Sequence, residues 1–156
     1  MERLTISLDA KLAGEFDAWM AKRGYSNRSE AVRDMVREKL AAELLDAGRA
    51  RWCVATLAYV YDRSEPSVVA RVIQWQHDHH DLVASSQCAL LDHQDCLETV
   101  IARGETSSLE ACAAQLIAIR GVRHGTIQLV PLRESRAHAH ADAAGHRPHR
   151  HLRPVS

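Results

Sequence analysis

Hydrophobic and polar positions alternate from the start of the chain. Leu4, Ile6 and Leu8 point one way while Arg3, Thr5 and Ser7 point the other, the period of two that marks a short half-buried strand. The period then lengthens. Leu12, Phe16, Trp19 and Met20 fall at i, i+4, i+7 and i+8 behind Asp9, a good N-cap, and ahead of Gly24, a good C-cap, so a helix is predicted between them. Ser26, Asn27, Arg28 and Ser29 offer cap chemistry for a second helix that gathers Ala31, Val32, Met35, Val36 and Leu40 on one face. About 45 residues cannot close a core alone, and a lone strand leaves its edges unpaired. The unit is therefore expected as an intertwined dimer in which two copies of residues 3 to 8 pair antiparallel.

A second unit follows with its own rhythm: strand Trp52 to Tyr61, helix Ser64 to His80, strand Leu82 to Leu91, strand Asp95 to Arg103, helix Ser107 to Arg120 and strand Val122 to Leu132. This βαββαβ order is the split, ferredoxin-like arrangement. The predicted class is α+β. We read residues 1–45 as the first domain, 46–51 as a linker broken at Gly48, 52–132 as the second domain, and 133–156 as a disordered tail whose Ala, His, Arg and Pro residues bury too little surface to offset chain entropy. If the middle strands form a hairpin about Asp92, His93 and Gln94, residues 88, 90 and 96 come close together.

Composition bounds the function. Twenty basic and twenty acidic residues cancel, which at face value disfavours a nucleic-acid binder. No apolar run reaches the length of a membrane span and no secretory leader is visible, so the expected compartment is the cytoplasm. There the four cysteines, 53, 88, 96 and 112, are expected as thiols or metal ligands rather than disulfides. Cys53 and Cys112 lie in apolar elements and read as small buried hydrophobes. No nucleophile with a base and no phosphate-cradling glycine loop is apparent, so an enzyme is not expected.

Two groups of residues carry candidate chemistry. A β-ribbon fits the major groove of DNA, where Arg3, Thr5 and Ser7 from both copies would face base edges. Asn27, Arg28 and Ser29 at the second helix's N-terminus, with Arg33 one turn on, would meet phosphate. The alternative is that the strand residues are only a solvated face and Ser29 only a cap. The second group is His77, His79 and His80 at a helix end with Cys88, His93 and Cys96 around the hairpin, neutral imidazole and thiolate being transition-metal ligands. A solvated helix terminus is its plain alternative.

Five ordered stretches, Arg3 to Asp9, Arg23 to Asp34, Gln76 to Leu82, Asp92 to Cys96 and Arg120 to Gly125, together resemble the NikR family of nickel-responsive ribbon-helix-helix repressors. The resemblance runs from about residue 1 to 131. It implies a homotetramer in which ribbon-helix-helix dimers flank ACT-like metal-binding domains, and in which nickel promotes binding to double-stranded operator DNA and shuts off nickel uptake. It implies Arg3, Thr5 and Ser7 as the base-reading face, and Glu30 and Asp34 as carboxylates that help hold a cation between the domains. The family's metal ligands are a helix-end His from one subunit and His-x-His plus Cys from its neighbour. Here His77 and Cys96 match, position 88 is Cys and position 90 is Leu. The expected ligands are thus His77, Cys88 and Cys96, with water, His93 or His79 as a fourth. Ni(II) is the metal the resemblance implies, while two thiolates suit Zn(II), Co(II) or Cu(I) about as well. A regulator with altered metal selectivity, or one that has lost metal sensing and keeps the second domain for oligomerisation, remains an alternative. The family's basic pair after the first strand of the metal domain is Glu65 and Pro66 here. The five tail histidines, 138, 140, 146, 149 and 151, suggest either a metal buffer or carrier, or a basic disordered tail that binds metal weakly or DNA loosely.

Overall fold

Local signals in the first forty residues are realised where the chain can satisfy them by itself. The computed structural model describes residues 5–134 and 152–155. Helix α1 spans Ala10–Arg23: the Asp9 carboxylate accepts from the Leu12 amide at 2.9 Å, and Gly24 closes the other end in the left-handed region at φ 78°. That conformation is the one glycine adopts without strain. Helix α2 spans Arg28–Asp46, and Asn27 Oδ1 accepts from the Ser29 amide at 2.8 Å at its start. The chain divides into two compact units, Met1–Ala42 and Glu43–Ser156.

Among the described residues of the first unit only Met20 and Ala31 are buried. Ile6, Leu8, Leu12, Met35, Val36 and Leu40 are exposed, and residues 5–9 form no strand in the single chain. A strand needs a neighbour to take its amides and carbonyls, and a second copy of the same segment is the neighbour the alternation calls for.

The second unit is a five-stranded antiparallel sheet in the order β2-β3-β1-β4-β5. Its elements are β1 (Trp52–Asp62), α3 (Pro66–Asp78), β2 (Val83–Leu90), β3 (Asp95–Glu105), α4 (Thr106–Ile117), β4 (Arg123–Glu134) and β5 (Leu152–Pro154). Without β5 this is the expected βαββαβ arrangement. Period-two burial explains the layering: Cys53, Ala55, Leu57, Tyr59 and Tyr61 of β1 and Cys96, Glu98, Val100 and Ala102 of β3 are buried on one face. Val68, Val72 and Trp75 of α3 and Leu109, Cys112, Ala113 and Leu116 of α4 complete that core. The Trp75 indole donates to the Cys112 carbonyl at 3.0 Å, tying the two helices together. Gly121 is required where it stands: its φ is 103°, and a Cβ there would meet Val68 Cγ2 at 2.6 Å.

Two expectations change. The α3 helix begins at Pro66 rather than Ser64, because a proline has no amide to give and suits the first helical position. The tail expected to be disordered over 133–156 is ordered at both ends that are described. Arg133 and Glu134 continue β4, and Leu152–Pro154 pair with its open edge, Leu132 opposite Pro154 and Glu134 opposite Leu152. Backbone pairing to an unfilled edge needs little apolar surface, which is why composition did not reveal it. The five tail histidines all lie outside the described residues.

Candidate metal centre and DNA-reading residues

The hairpin that carries the two candidate thiols is closed by a turn that orders itself. Asp92 Oδ1 accepts from the amides of Gln94 and Asp95 at 2.8 and 2.7 Å, and these donors hold its carboxyl below the usual range. The turn fixes the register with Leu90 opposite Cys96 and Cys88 opposite Glu98. Positions 88, 90, 96 and 98 therefore share the helix-bearing face of the sheet. Cys96 is fully buried, whereas Cys88 is exposed and Leu90 is 65% exposed. Burial, followed by the neighbouring Cys88 thiol, pushes the Cys96 thiol up to about 11. Tyr61, opposite Cys96 on β1, is raised as well, first by its own burial and then by Cys96.

The same face holds a polar group that the sequence reading missed. Glu98 is only 6% exposed, and its Oε1 accepts from Gln76 Nε2 at 2.5 Å and from the Ser86 hydroxyl. The signal was a carboxylate two positions after Cys96 on a strand whose alternate residues are otherwise apolar. Through Gln76 this carboxylate fixes the last turn of α3, the turn that carries His77. Tyr59 sits opposite Glu98 on β1, and burial, then Glu98, raises its phenol.

His77 itself is exposed, with its ring 6.2 Å from that of His80. His79 turns back, its Nδ1 2.8 Å from the Trp75 carbonyl and its ring against the indole. The chain thus brings Cys88 and Cys96 to one face but does not gather His77, His79 or His93 with them. Among the described residues no three His, Cys, Asp or Glu side chains form a metal-sized cluster. Cys53 and Cys112 are buried in the core. By donor chemistry, two adjacent thiols fit a transition ion, and an imidazole supplied by a second copy would give a set that Ni(II) accepts.

In the first unit, Thr5 and Ser7 are exposed and Arg3 lies outside the described residues. Asn27 acts as the cap and occupies the Ser29 amide. Arg28 is engaged rather than free: its guanidinium forks onto Asp17 at 2.8 and 2.5 Å. Arg33 and Glu30 are exposed, while the half-buried Asp34 accepts from the Tyr25 hydroxyl at 3.3 Å and from Arg37 at 3.4 Å. Glu65, at the N-cap position of α3, makes no capping hydrogen bond.

Residues 54–130 match the family model described as the NikR C terminal nickel binding domain, and residues 2–43 match that of the ribbon-helix-helix protein, copG family. One solved structure, of the uncharacterized protein TM1266 from Thermotoga maritima, is similar at 16% identity over 53% of this chain and 99% of that chain, with a TM-score of 0.44. That likeness is too slight to bear on function. No helix among the described residues is long and apolar enough to cross a membrane. A DNA-binding unit joined to a nickel-binding domain makes a metal-responsive transcriptional regulator, and the chain belongs to the NikR family.

Proposed function

We propose that this regulator is a cytoplasmic homotetrameric repressor of transition-metal uptake, with Ni(II) as its effector, the metal its family model assigns. The observation that carries the reading is the split donor set. Cys88 and Cys96 share one hairpin face, while His77 stands exposed at a helix end away from them. A site completed by the His77 of a second copy makes metal binding and assembly one event. The sheet face away from the helices supports assembly, since Val54, Val60 and Leu97 are half-buried there and Ile101 and Val130 are exposed. His77, Cys88 and Cys96 hold the metal. Paired copies of Arg3, Thr5 and Ser7 read bases, Asn27, Arg28, Ser29 and Arg33 flank phosphate, and Glu30 and Asp34 serve a second cation.

An effector that prefers the DNA-competent arrangement strengthens DNA binding, and DNA strengthens effector binding by the same factor. The two matched families are regulator domains. The test is fluorescence anisotropy on DNA upstream of its own operon. Ni(II) should tighten binding in the wild type but not in His77→Ala or Cys96→Ala. Mixing and refolding those two variants together should restore part of the response, because each supplies the ligand the other lacks. A nickel response that persists in both variants, or none in the wild type, would refute the assignment.

A further inference from the structure

The hairpin departs from its family in a way that has its own chemistry. Position 90, directly opposite Cys96, is an exposed leucine that offers no donor, and position 88 brings a second sulfur to the same face. The two cysteines are diagonal neighbours on adjacent antiparallel strands. Diagonal Cα atoms in such a pair are about 7–8 Å apart, beyond the roughly 4.4–6.8 Å that a disulfide spans without moving the backbone. A metal ion bridging two thiolates asks for less, since two metal–sulfur bonds of about 2.3 Å hold the sulfurs up to about 4.6 Å apart. The geometry favours an ion over a disulfide.

The donor count then selects the ion. Among the described residues of one chain only the two thiols converge. Glu98, the nearest carboxylate on that face, is held by Gln76 and Ser86, and no third ligand is gathered among the described residues. Zn(II) and Co(II) ask for about four ligands. Soft thiolates suit Cu(I), a monovalent d10 ion that is satisfied by two in a linear array.

We propose that Cys88 and Cys96 of a single chain form a two-coordinate Cu(I) site that needs no residue of a partner and competes with Ni(II) for the same sulfurs. Loading releases two thiol protons and forms two Cu–S bonds, with no change of oxidation state. The exposed Cys88 is the point of entry and the buried Cys96 the inner ligand. This deepens the regulator reading and rests on it, because copper bound in this way occupies the thiolates without recruiting the partner's imidazole. It would therefore hold the protein in the state that nickel has not organised.

The test is an anaerobic competition of the full chain against a chromogenic Cu(I) chelator, with parallel Ni(II) titrations. Wild type and His77→Ala should take the same one Cu(I) per chain in this site and show the same near-ultraviolet thiolate-to-copper band. Cys88→Ser, on an exposed strand position, should lose that equivalent and weaken binding by more than about 100-fold, beyond what loss of an outer-shell partner costs. Ni(II) binding should fall in both variants. If His77→Ala loses Cu(I) along with Ni(II), or Cys88→Ser keeps both the equivalent and the band, the proposal is overturned. If Ni(II) binds as expected while the wild type takes no Cu(I), the proposal fails and the nickel reading stands. If Cu(I) binds and Ni(II) does not, the nickel reading fails and the competition with it, while the two-thiolate copper site stands.

Discussion

Arg28 sits where a helix N-terminus would meet DNA phosphate, yet its guanidinium is forked onto Asp17 of α1. Both side chains are largely exposed, with 63% and 49% of their surface open, so the pair can be traded for phosphate, and how completely it is traded is measurable. Asp17→Asn weakens the fork and leaves Arg28 to the DNA. Each additional phosphate contact steepens the slope of log Kobs against log salt by about 0.9, and a ribbon dimer carries two copies of Arg28. The slope should therefore become more negative by up to about 1.8, so that raising salt from about 50 to 200 mM costs the variant roughly tenfold more affinity than the wild type. Asp17→Asn also removes a negative charge that repels DNA, so anisotropy isotherms across a salt series should include Arg28→Ala and the double variant. The extra slope must vanish in the double variant. A slope that neither Asp17→Asn nor Arg28→Ala changes, or an increase that survives without Arg28, would show that Arg28 does not reach phosphate.

Other substitutions probe the remaining elements. Asn27→Ala removes the side-chain acceptor at the start of α2 and should lower stability by about 1 kcal/mol in chemical denaturation. Glu98→Ala strips Gln76 and Ser86 of their shared acceptor; it should cost about 2 kcal/mol and weaken Ni(II) binding, whereas loss of stability alone would confine Glu98 to a packing role. The Asp92 carboxyl is held below its ordinary 3.8 by backbone donors, so its contribution is present above that value and lost as pH falls through the folded-state value. The thermal stability gap between wild type and Asp92→Asn should accordingly narrow in acid below 3.8 and be constant near neutrality. Leu90→His places an imidazole opposite Cys96 and beside Cys88. Calorimetry should show Ni(II) affinity raised by more than about tenfold, the lower range for a single tuned interaction at a metal site, with no gain for Cu(I).

What could be read from the sequence divides by range. The caps at Asp9 and Gly24 are signals confined to a few residues, and both are made in the structure. The alternation of β1 and β3 and the turn at Asp92 were enough to bring residues 88, 90 and 96 to one face. The hydrogen bonds of Glu98 reach partners 22 and 12 positions away on α3 and β2, and no local period encodes that. The Arg28 fork onto Asp17 was equally hidden, because a helix-start arginine reads as a phosphate contact until the neighbouring helix is in place. The β5 strand lay beyond composition for another reason: it is held by the backbone of β4, and backbone pairing leaves little trace in side-chain chemistry.

The unfinished surfaces of the single chain explain why its net charge misleads. Ile6, Leu8, Leu12, Met35, Val36 and Leu40 would be a poor choice for a monomer of this size, since none is covered in the chain by itself. They are intelligible as the interior of the proposed two-chain core, which would set Thr5 and Ser7 in an ordered row. The same logic holds at the hairpin, where two sulfurs on one face are too few for Ni(II) and an exposed imidazole at the end of α3 lacks company. Charge balance summed over one chain cannot register sites that, in the proposed function, are assembled from copies, an assembly that would double the few cations the fold aims. On that proposal a neutral chain reads DNA for the reason it senses metal: the placement of residues, rather than total composition, sets the local chemistry.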